Sequence, residues 1–104
     1  MLMDKNKAYL CRVGASPVDI TPEDGAKLNT RHIAMLIHAN CLDFVQSPDR
    51  SQIMCVDDTG LVDGKPQNAV GTEFYHRHPW ARAANAPICG DVVIAPTRMV
   101  GSGR

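Results

Sequence analysis

The stretch "DDTGLVDGKPQN", Asp57–Asn68, limits the fold more than any other part of this chain. Its aspartates (Asp57, Asp58, Asp63) can bond their own backbone, and Gly60 and Gly64 tolerate positive φ. Lys65-Pro66 then forces an extended approach into Asn68. The chain must turn twice here, close to its middle. A long helix through the centre is therefore excluded, and short elements must pack from either side. The same composition invites two functional readings, and both fail on spacing. An EF-hand loop needs oxygen ligands at positions 1, 3 and 5, glycine at 6 and glutamate at 12. Counting from Asp57, position 5 is Leu61 and position 6 is Val62; counting from Asp58, position 3 is Gly60. A phosphate loop needs G-x-x-x-x-G-K-[ST] ahead of a long helix, and the stretch has neither. Turn chemistry is the better reading.

On either side the apolar runs are short, as strands require. "AYLCRV" (Ala8–Val13) alternates, and "VDI" after the turn "GASP" can pair back on it. "CLDFVQ" alternates Leu42, Phe44 and Gln46 against Asp43 and Val45, and "QIMCV" follows across the loop "SPDRS". "ICGDVVIAP" closes the fold as a last strand ended by Pro96. One segment has helical periodicity. In "LNTRHIAMLIHAN", Ile33, Leu36 and Ile37 share a stripe that Ala34, Met35 and Ala39 widen; Asn29 or Thr30 can cap it and Asn40 can stop it. Asn68 can cap a second, short helix over "AVGTEFYHR", although Gly71 weakens it and a strand aligning Val70, Thr72 and Phe74 is the alternative. "HPWARAANAP" reads as loop.

These elements predict an α+β fold: a mainly antiparallel sheet of four or five strands, with the Asn29–Asn40 helix on one face and room for a second short helix. The expected core is Leu10, Val13, Ile33, Leu36, Ile37, Leu42, Phe44, Ile53, Cys55, Val92 and Ile94. A chain of 104 residues suits one domain, here 8–96, between a flexible start (1–7) and a mobile tail (97–104). Eleven basic residues balance eleven acidic ones, so no overall charge draws the chain to nucleic acid or anionic membrane. No run approaches the ~20 apolar residues of a membrane span, and the start lacks a secretion signal, so a cytoplasmic location is expected. The four cysteines, Cys11, Cys41, Cys55 and Cys89, form no C-x-x-C pair, lie in or beside apolar runs and read as buried structural thiols.

The order of features resembles a domain-of-unknown-function family, the one numbered three-eight-four-six. Its most telling residues here are the apolar run with its aspartates, Gly60-Leu61, Gly64-x-Pro66-x-Asn68, and Ile88-x-Gly90-Asp91-Val92-Val93. The likeness covers Tyr9 to Pro96. It implies a fold and a setting, since members are small proteins often encoded by phages, plasmids and other mobile elements. It implies no catalytic residue.

One segment is richer in aromatics and histidine than that resemblance leads one to expect. "YHRHPWAR" joins Tyr75, Arg77, Trp80 and Arg82 with His76 and His78. Arginine and large aromatics are enriched at the hot spots of protein interfaces, so these four are the candidate binding residues for a protein partner. The alternative is nucleic acid, with the arginines on phosphate and Tyr75 and Trp80 stacked on bases. A third, weaker reading is a zinc-stabilised domain, with His76, His78 and Cys89 converging one ligand short of a closed tetrahedral site. Cys41 and His38 could form a nucleophile pair, but no established catalytic motif accompanies them. The expectation is a non-enzymatic accessory protein with no cofactor and no metal.

Overall fold

Five strands pair into one antiparallel sheet: β1 (Tyr9–Cys11), β2 (Val18–Asp19), β3 (Leu42–Gln46), β4 (Gln52–Asp57) and β5 (Val92–Pro96). The order across the sheet is β2-β1-β5-β4-β3. This computed structural model describes residues 3–23 and 26–100. Among the described residues three α-helices complete the α+β architecture: α1 (Thr30–Leu36), α2 (Ala69–Tyr75) and α3 (Pro79–Ala83). None of the described helices is long and apolar enough to cross a membrane.

The register explains where the core lies. Leu10 pairs with Val93, which pairs with Cys55, and all three point to the face packed with Ile33 and Ile37 of the α1 segment. Tyr9, Ile94 and Met54 form the next row and point to the opposite face, where Phe74 of α2 and Ile88 cover them. The centre of the sheet is covered on both faces, so β1 and β5 are buried throughout, while the outer strands β2 and β3 stay largely exposed. Completely burying a side chain such as Ile33 or Ile94 contributes about 1.5–3 kcal/mol.

That second covered face corrects the expected core. Leu10, Ile33, Ile37, Cys55, Val92 and Ile94 are buried as expected, while Val13, Leu36, Leu42 and Ile53 are half-buried. Phe44 is 44% exposed, because β3 is an edge strand. Met54, Phe74, Ile88 and Val93 belong to the core as well.

Asn29 caps α1 by accepting from the N–H groups of Arg31 (2.8 Å) and His32 (3.3 Å). The helix does not run to Asn40. His38 takes the left-handed conformation (φ 56°) instead, donating to the Met35 carbonyl while Ala39 donates to that of Ala34. These paired bonds stop a helix whatever the apolar periodicity beyond it. The segment read as a loop, "HPWARAANAP", holds α3: Pro79 occupies its first turn, Ala81 is buried, and Asn85 ends it at φ 51°. "ICGDVVIAP" becomes a strand only from Val92, since Gly90 turns at φ 87°. The ends are also more engaged than expected. Met3 packs on the second cluster, and Thr97–Met99 form a 3₁₀ turn from which Met99 and Val100 pack on the first. Residues 101–104 lie outside the described residues.

Asn68 holds these parts together. Its side-chain oxygen accepts from the Gly71 N–H (3.0 Å), capping α2. Its amide nitrogen donates to the carbonyls of Cys11 (2.8 Å) and Gly90 (3.0 Å), and its own N–H donates to Ile88 O (2.7 Å). The residue is 1% exposed, so each of these groups would otherwise lack water. Two predictions follow from this packing. Asn68→Ala should cost about 3 kcal/mol, a lost cap plus two stranded carbonyls, read as a lower urea midpoint. Asn68→Asp should rescue little, because it restores the cap but sets a carboxylate against two carbonyl oxygens. Among the thiols, Cys41 is exposed and departs from the expected burial, whereas burial pushes Cys11 up to about 11 and Cys55 up to about 12. Native protein should therefore show one fast thiol toward an aromatic disulfide reagent, and Cys41→Ser should remove it.

Candidate functional site

The α2–α3 corner displays the candidate binding residues. Tyr75 ends α2, half-buried against the second core cluster. Trp80 lies in the first turn of α3 and is 61% exposed. Their rings meet edge to face, with centroids 5.4 Å apart and planes at 88°, and His78 lies 5.4 Å from Trp80 on another side. Such a contact fixes the orientation of an exposed indole. The frame beneath it is rigid as well. His78 Nε2 lies 2.6 Å from the carbonyl of Gln46 in β3, and His76 Nε2 lies 2.6 Å from that of Ala86. The segment read as loop is thus anchored, with Ala81 buried below it.

The four candidates do not form one group. Tyr75 and Trp80 are together, and Arg82 is exposed in the last turn of α3. Arg77 is exposed, yet its guanidinium is engaged within the chain: it lies 4.8 Å from the centroid of the Phe74 ring and donates to Gln52 Oε1 at 3.1 Å. There it lines a cleft of about 390 Å³ with Gln52, Phe74 and Glu73. A second cleft, of about 280 Å³, opens beside Tyr75 between Asp43, Val45, Asp58, Leu61 and Ile88. Asp43 and Val45 come from β3, and sequence reading took that strand for core. The only signal that could have marked it as an edge is the polar pair Asp43 and Gln46 within five residues.

The two histidines spend their Nε2 atoms on carbonyls of different segments, and Cys89 is buried where its backbone bridges Gln67. Among the described residues no group of three or more His, Cys, Asp or Glu side chains is placed to hold a metal ion.

The Asp57–Asn68 stretch has a structural use for its charges. Asp57 is buried, and its Oδ2 lies 2.5 Å from Lys65 Nζ. The same ammonium donates to the His38 carbonyl (2.9 Å) at the end of α1, where a helix terminus favours positive charge. Asp57 Oδ1 accepts from the Thr59 N–H (3.0 Å) and hydroxyl (3.3 Å), and that hydroxyl also reaches Asp63 (2.8 Å). The loop thus straps one helix end to the last residue of β4.

No family model, curated protein or solved structure matches the chain.

The strap carries an acid sensitivity. Burial alone would raise the Asp57 carboxyl, but the Lys65 ammonium and the Thr59 N–H outweigh it and hold the pKa below the ordinary 3.8. A folded value below the unfolded one stabilises the fold above about pH 4, and that contribution is lost as pH falls through the folded value. Asp57→Asn should cost about 2 kcal/mol at pH 7, and its denaturation midpoint should fall less than that of the wild type between pH 5 and pH 2.

Proposed function

We propose that this protein acts without chemistry of its own, by holding a protein partner on the surface around Trp80. One observation carries the proposal: a large aromatic, 61% exposed, stands on a frame fixed by Tyr75, His78 and buried Ala81. A partner that covers such an indole buries its exposed apolar area at little entropic cost. Arg82 is exposed beside it and supplies donors for a partner's carboxylates or carbonyls. Arg77 bonds to Gln52 and Phe74 as well as facing solvent, and eleven acidic residues balance the eleven basic ones, so no net positive charge draws phosphate and protein is favoured over nucleic acid. The proposal sets the protein in the cytoplasm, where its four free cysteines stay reduced. By its sequence resemblance, it sets it among the accessory proteins of phages, plasmids and other mobile elements.

Affinity capture from the native host tests this, with wild type beside a folded Trp80→Ala, Arg82→Ala variant. Wild type should retain a protein that the variant loses, since truncating a central Trp at an interface costs about 2 kcal/mol or more. Retention of nuclease-sensitive material instead would move the function to nucleic acid, and identical capture by both proteins would place the contact elsewhere.

A further inference from the structure

Among the described residues the outer edge of β3 has no neighbour in the sheet. Ser47 N–H donates to Gln52 O (2.8 Å) and Asp58 N–H to Cys41 O (3.0 Å) across the β3–β4 pair. Antiparallel alternation then turns Asp43 and Val45 toward β4 and leaves the backbone of Leu42, Phe44 and Gln46 facing outward. Two of those outward groups are guarded. Asp43 Oδ1 accepts from the Phe44 N–H (2.9 Å), and His78 closes on the Gln46 carbonyl. The Leu42 N–H and C=O, the Phe44 C=O and the Gln46 N–H face outward, and no such guard covers them among the described residues. Around this edge aromatics fall on both faces. Phe44 lies on the α1 side at 44% exposed, and Tyr75 with Trp80 stands on the other, beside the cleft that Asp43 and Val45 line.

Resting on the protein-binding function proposed above, we infer that the partner docks as an added strand on β3. Its basic side chains face Asp43 and Asp58, and its apolar ones face Phe44. Backbone bonds to the edge supply affinity, and alternate side chains supply selectivity. Charge decides the chemistry of the occupant. Asp43 and Asp58 are exposed, and among the described residues the ion pairs are Lys7–Asp19 and Lys65–Asp57, so neither carboxylate has a cation of its own. A lysine or arginine entering the cleft meets these two acids over an apolar floor of Val45 and Ile88, with the Tyr75 ring as a wall. A second copy of the chain suits the edge less well. Antiparallel pairing across Phe44 would gather both copies' Asp43 and Asp58 on one face.

The test uses the whole chain and a synthetic nine-residue peptide alternating lysine and valine. The comparison peptides are the same sequence with glutamate for lysine, and a version N-methylated at alternate residues. Calorimetry should show the lysine peptide binding about tenfold tighter than either comparison peptide. Amide shifts should centre on residues 42–46. Gln46→Pro removes an outward N–H without touching the β3–β4 ladder, and it should abolish binding with the fold intact. If that variant is unstable, Asp43→Lys, Asp58→Lys should instead reverse the preference toward the glutamate peptide. Binding unaffected by N-methylation would overturn strand addition, and equal binding of both charges, or a dimer in light scattering that Gln46→Pro dissociates, would overturn a basic partner strand as the occupant of this edge. Should no peptide bind while Trp80→Ala, Arg82→Ala still loses a captured protein, the edge is wrong and the Trp80 surface stands. Should both fail, both proposals fall.

Discussion

The buried amide of Asn68 is the constraint on which the other contacts rest. A helix end, the exit of β1 and the turn into β5 all bring backbone polar groups into a space without water. One side chain meets all three needs, because an amide offers an acceptor and two donors within one plane. Removing it leaves more than a missing bond: the Cys11 and Gly90 carbonyls would be desolvated without a donor. The geometry also places α2, since the cap fixes where the helix starts and hence where Phe74 meets the sheet.

Close packing around that point explains residues whose composition suggested only weakness. Gly71 is a poor helix former, yet a Cβ there would lie 2.9 Å from Ile88 Cγ2 and 3.4 Å from Val92 Cγ1. The helix gives up propensity to let its backbone approach the sheet. Lys65 behaves similarly on the other side of the turn. It crosses from the loop to the end of α1 while its stem fills the space beside Gly90, where a Cβ would come within 2.9 Å of it. Thus both helices are set by polar contacts at their ends, and their apolar stripes then complete the two cores. Because α2 is fixed in this way, the α2–α3 corner reaches β3, where His78 meets the Gln46 carbonyl and carries the exposed Trp80 ring against its own.

Much of the fold was legible from residues one to four apart. The caps Asn29 and Asn68, the two turns of Asp57–Asn68 and the strand runs all depend on local chemistry, and the structure has them. Helix α3 and the stop at His38 were not legible. A five-residue helix has too little periodicity to read, and a histidine in the left-handed region is chosen by the Ala34 and Met35 carbonyls rather than by its own preference. The site was legible as a list, "YHRHPWAR", but not as an arrangement. That Arg77 lies over Phe74 and bonds to Gln52 depends on a strand 25 residues away in the chain.

The amino-acid sequence by itself determined the kind of fold: an antiparallel α+β domain whose short runs and acidic turns allow few other architectures. Tertiary structure decided which strand became an edge, because that follows from the order β2-β1-β5-β4-β3 and not from any property of "LDFVQ" itself. It also decided that both faces of the sheet are covered, which takes Met54 and Ile94 into a second core. The same order leaves Phe44 in solvent. Period-two alternation shows that a strand has two faces, but the neighbours that bury each face come from distant segments. For this reason the local chemistry of the chain names its elements, and only their packing shows which surface is left open to a partner.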